Sequence, residues 1–100
     1  MLFRSALSDK IPADLRATIV NAPGDTVYPI SGFTWLLIPR EIPDKSKATA
    51  MTRLAWWVTH DGQKQSNDLG YATLPNGLVV RAEAMISSIT TGGEKAFPDR

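Results

Sequence analysis

Tyr28-Pro29-Ile30-Ser31-Gly32-Phe33-Thr34-Trp35-Leu36-Leu37-Ile38-Pro39 is the stretch on which the fold turns. A Tyr-Pro pair leads into residues 33–38, which are apolar on both faces apart from Thr34, and Pro39 stops the run. A strand with one wet face alternates. A run that is apolar throughout belongs to a strand covered on both sides, as in a parallel sheet flanked by helices. Such a strand needs parallel neighbours, and 100 residues can hardly supply them. The reading is therefore an α/β chain that forms part of something larger.

Downstream, residues 39–43 form a loop and Asp44 is placed as an N-cap, its carboxylate accepting an orphan backbone N–H. Ala48, Met51, Leu54, Ala55 and Val58 follow at helical spacing and define one apolar face. Trp56 and Trp57 lie on adjacent flanks, so at least one is expected to pack against a neighbouring element. Asp61-Gly62 reads as the stop, with Gly62 in the left-handed position past the last turn. A short helix is expected over 63–69, ended by Gly70. Tyr71-Ala72-Thr73-Leu74 is an extended connector, and Pro75 suits the first turn of a last helix. Leu78, Val79, Ala82, Met85, Ile86 and Ile89 make that helix's apolar stripe, Gly92-Gly93 closes it, and residues 94–100 are a frayed tail.

Upstream, residues 2–8 read as the tail of a helix and residues 9–14 as a loop around Pro12. Leu15-Arg16-Ala17-Thr18-Ile19-Val20 is β-rich and suits a short strand. Asn21-Ala22-Pro23-Gly24-Asp25 is a turn, with Pro fixing φ and Gly free to take positive values.

Composition excludes several classes. The apolar share is 43% and the charged share 21%, as in globular chains. Eleven basic and 10 acidic residues leave a net charge of +1, with no basic run to track a phosphate backbone. The absence of cysteine removes disulfides, thiolate metal sites and cysteine nucleophiles. No apolar run approaches the roughly 18 residues of a membrane-spanning helix. The opening Met1-Leu2-Phe3-Arg4-Ser5-Ala6-Leu7 is too short and too soon charged to read as an export signal.

Two motifs in order, residues 28–35 and then Gly62-Gln63-Lys64-Gln65 with Asn67-Asp68-Leu69-Gly70-Tyr71-Ala72-Thr73-Leu74-Pro75, resemble the C-terminal portion of the phosphate-binding proteins of bacterial phosphate ABC transporters. Residues 11–24 resemble the stretch that precedes the Tyr-Pro pair there, so the likeness covers roughly residues 5–90. The resemblance implies a type II periplasmic-binding-protein fold, two α/β lobes closing around one phosphate ion. This chain would be part of one lobe, with one or two strands covered by C-terminal helices, and residues 1–100 a single incomplete domain. The implied role is capture of inorganic phosphate and delivery to a membrane permease. That makes the chain a non-enzymatic part of phosphate transport, periplasmic or at the cell surface in intact members. Those members are much longer and begin with an export signal.

Family ligand contacts come from Ser/Thr/Gly-rich loops, helix N-termini, an Arg and an Asp that lie upstream of this segment. The chain is thus assigned no phosphate-binding residue, no catalytic residue, no metal site and no cofactor. Tyr28 and Pro29 are expected near the crossing between lobes. In such sites helix N-termini offer unpaired N–H groups to the oxyanion, and a carboxylate acceptor selects a ligand that still carries a proton.

Other readings carry less. His60-Asp61 could polarise a nucleophile, but neighbours on a helix diverge by about 100° and do not face each other; a cation-friendly helix C-terminus is the simpler account. Ser31-Gly32-Phe33-Thr34 precedes a strand, whereas a phosphate cradle follows one. Asn21-Ala22-Pro23-Gly24 lacks the Lys of a P-loop. Glu41, Asp44, Glu83 and Glu94 show no acid/base pairing. Trp35, Trp56 and Trp57 could stack on a sugar or base, but they suit a core better. Two alternatives stand beside phosphate transport: a fragment of a sibling binding protein for tungstate or molybdate, and a standalone interaction module built on the Trp56/Trp57 helix. If the rest of the lobes is absent, the 33–38 strand and both helices lack cover. The isolated chain is then expected to be partly molten, oligomeric or aggregation-prone.

Overall fold

The computed structural model describes residues 12, 14–16, 18, 25 and 32–97. The expected helix at 2–8, residues 21–24 of the expected turn, Tyr28-Pro29 and half of the strand at 15–20 fall outside them. Leu15, which is described, has φ 60° and donates its N–H to the Pro12 carbonyl at 3.0 Å, so the chain turns there.

Two helices and one short antiparallel ribbon make up an α/β fragment: α1 Lys45–Thr59, α2 Asn76–Ser87, β1 Thr90–Thr91 and β2 Glu94–Lys95. Asp44 caps α1 as its position suggests, its carboxylate accepting the Lys47 N–H at 3.2 Å. The buried face of α1 is Ala48, Thr52 and Ala55. That face is rotated from the one the apolar pattern indicates, for Met51 and Leu54 are exposed. Thr52 is the reason. Its hydroxyl donates to the Ala48 and Thr49 carbonyls of the preceding turn, so it enters the interior with its polar atom satisfied.

At the far end of α1, Gly62 is not the left-handed stop. His60 caps the helix, its N–H reaching the Trp56 and Trp57 carbonyls, and a 3-10 turn over Asp61–Gln65 replaces the expected helix at 63–69. Gly70 does close the region. Its φ is 82°, its N–H bonds the Asn67 carbonyl, and the Tyr71 N–H bonds the Ser66 carbonyl at 2.8 Å. Those crossed bonds are a Schellman ending.

The run at 33–38 is not a strand among the described residues. It carries no ladder, and Leu36 and Leu37 are 62% and 93% exposed. A strand exists through its partners, and the described residues offer this one none. The sheet lies instead where the close of the last helix and the start of a frayed tail were expected. Gly92 and Gly93, at φ 59° and 83°, make the two-residue loop of a hairpin pairing Thr91 with Glu94 and Thr90 with Lys95. Glu41 joins β1 by a parallel bridge, fixed by Thr90 N–H to the Arg40 carbonyl at 2.8 Å and Ile42 N–H to the Thr90 carbonyl at 2.9 Å.

The interior is thin. One cluster gathers Leu74, Leu15 and Phe33 around Leu78, and a second joins Ala48, Ile89 and Ala96 with Ile38 and Ile42. Leu78, Ile86 and Ile89 of the expected α2 stripe are buried, while Met85 is exposed.

Candidate functional site

The region with most polar chemistry is the seam between the end of α1 and the start of α2, where the Gly62-Gln63 motif lies. Gln63 spans it. Its amide nitrogen donates to the Val58 carbonyl at 2.7 Å and its amide oxygen accepts the Leu74 N–H at 2.8 Å. One side chain thus satisfies a carbonyl at the close of α1 and an N–H of the connector leading into α2. Gly62 is required by proximity. A Cβ there would meet the Trp57 ring and the Trp57 carbonyl oxygen at 3.0 Å.

His60 sits on the same seam. Nε2 is 2.7 Å from the Glu83 carboxylate on α2, and Nδ1 is 2.8 Å from the Trp56 carbonyl. The imidazole stacks on the Trp56 indole at 4.1 Å between centroids, and Phe97 stacks with the same indole at 4.8 Å. Three rings and one carboxylate therefore fasten α1, α2 and the chain that follows the ribbon. Asp61 takes no part in this arrangement and instead pairs with Lys64 at 3.2 Å. The His-Asp couple considered from sequence is not formed.

Two further carboxylates, Glu41 and Asp44, have structural partners too. Glu41 accepts from the Thr90 hydroxyl and from the Gly92 N–H, tying the hairpin to the chain before α1. Asp44 fills the N-terminus of α1, where an anionic ligand would otherwise be received. Trp56 is drawn into the ring stack and Trp57 remains 46% exposed over Gly62. The two indoles do not form a common platform. No group of three His, Asp or Glu among the described residues is placed to hold a metal ion, and no described helix is long and apolar enough to cross a membrane.

Sequence reasoning located the Gly62-Gln63 motif but missed what Gln63 and Glu83 do, since partners 11 and 23 residues away leave no local pattern. The Gly-Gly hairpin did have a signal: a dipeptide with both φ positive between β-branched and charged residues.

Among known proteins, the chain is similar to the phosphate-binding protein PstS of Xylella fastidiosa strain Temecula1, 35% identical over 75 residues. The PstS of strain 9a5c is 33% identical over 75 residues. In both cases the match takes in 75% of this chain and 21% of the relative, so the chain spans about a fifth of the length of the curated relatives it matches. No family model and no solved structure matches. Over that stretch the chain, two helices and a short antiparallel ribbon, is an α/β fragment similar to part of those longer proteins.

Proposed function

We propose that this chain, a relative of the phosphate-binding protein PstS over three quarters of its length, is scaffold of a phosphate-capturing lobe and does not itself grip the ion. In the intact protein, inorganic phosphate would be held in the periplasm by other segments and passed to the permease of an ABC transporter, without catalysis. Residues 1–100 then constitute the C-terminal part of one binding-protein domain.

The observation that carries this reading is where the motif residues point. Gly62, Gln63 and Gly70 serve backbone geometry and an internal bridge. Among the described residues the one helix start with a side-chain cap, that of α1, already holds the Asp44 carboxylate, and a phosphate placed there would meet like charge. A half-cleft also leaves a phosphate dianion to water, which solvates it better than isolated surface donors do.

Calorimetric titration of the 100-residue chain with inorganic phosphate tests this. No saturable heat is expected at millimolar ligand, and a micromolar Kd would contradict the reading. With the lobe's other parts missing, the isolated chain is further expected to self-associate.

A further inference from the structure

We propose that the isolated chain associates with a second copy of itself by antiparallel pairing of residues 34–38, centred on Leu36. This deepens the self-association named above and rests on it. Thr34, Trp35, Leu36, Leu37 and Ile38 make no backbone hydrogen bond to the described residues, and the segment runs without turn or bend. The Phe33 and Trp35 rings, two positions apart, meet edge-on at 5.7 Å, as side chains sharing one face of a strand do. A row of open donors and acceptors flanked by exposed Leu36 and Leu37 is a template for strand addition.

Charge singles out the occupant and the direction. From Thr26 to Pro39 no residue is charged, so an acidic or basic partner gains nothing here, while an identical strand meets no repulsion. The net charge of +1 adds little long-range opposition between copies. Parallel in-register pairing would set Arg40 beside Arg40 and Glu41 beside Glu41, and like charges directly opposite destabilise a strand pair. Antiparallel pairing centred on Leu36 sets Arg40 of each copy opposite the uncharged Gly32 of the other, and its two-fold symmetry closes the dimer. The competing edge, β2, is blunted by exposed Glu94 and Lys95.

The test is sedimentation of the full chain with Leu37→Lys and Leu54→Lys variants, both at exposed positions, with helical circular dichroism confirming that each retains its helices. The native chain and Leu54→Lys are expected to associate at about 100 micromolar, and Leu37→Lys to weaken association at least about tenfold. Because the chain has no cysteine, Leu36→Cys and Thr34→Cys report direction by oxidative cross-linking. Leu36→Cys is expected to form disulfide dimers, and Thr34→Cys, held out of reach of its copy, is not. A monomeric native chain would overturn both self-association and the pairing. Association that survives Leu37→Lys but is lost with Leu54→Lys would overturn the pairing alone, moving the contact to α1. Efficient cross-linking through Thr34→Cys would overturn the antiparallel arrangement.

Discussion

Gln63 is the residue on which the seam between the helices depends most. An amide is the group that can donate to the Val58 carbonyl and accept from the Leu74 N–H at once; a carboxylate could only accept, and an ammonium only donate. Gln63→Ala removes both bonds and leaves two partly buried backbone groups without partners, a loss of about 1–3 kcal/mol. A lowered urea midpoint, read in the Leu37→Lys background so that association does not enter, is the expected result. Gly62→Ala acts through space. The added methyl meets a backbone oxygen and an indole at 3.0 Å, and the oxygen cannot rotate aside. A cost of about 1–3 kcal/mol is expected in the same denaturation, with Trp57 fluorescence shifting as its ring is displaced.

Among the elements, α1 shows what local chemistry fixes and what it leaves to packing. Its start was readable because Asp44 bonds a backbone N–H only three residues on. Asp44→Ala should lower stability by about 1 kcal/mol, measurable as a drop in the thermal midpoint of the helix signal. The buried face of α1 was less readable. Thr52 counts as polar in a periodicity, yet it returns its hydroxyl to its own helix and packs as a small apolar residue, turning Met51 and Leu54 outward. The end of α2 misled for a related reason. Ile89 continues the helical spacing, but Ser88 ends the helix and Ile89 packs with Ala48 and Ala96 as the chain enters β1. At 33–38 the residue pattern is that of a two-faced strand, and among the described residues no neighbouring strand pairs with it. Gln63 and the His60–Glu83 contact were illegible because each depends on residues that only the fold brings together.

At the scale of the whole molecule, the largest side chain fully buried among the described residues is a threonine, Thr52. Trp35, Leu36, Leu37, Leu54, Leu69, Tyr71 and Val80 all lie exposed in the same structure. An interior of three alanines, two threonines and only three larger apolar side chains, Leu78, Ile86 and Ile89, among the described residues buries little apolar surface against the entropy of ordering so much chain. On the proposed reading, these outward side chains are the faces that a complete lobe covers, and the chain's contribution to phosphate capture is to hold that lobe's shape. The most direct measurement is a chimera in which the matching segment of the Xylella fastidiosa PstS is replaced by the corresponding residues of this chain, titrated with inorganic phosphate. Binding within about tenfold of the unaltered relative is the expected result, since a scaffold segment can be exchanged while the ligand contacts stay. A folded chimera that has lost phosphate binding would show that this segment carries ligand contacts after all.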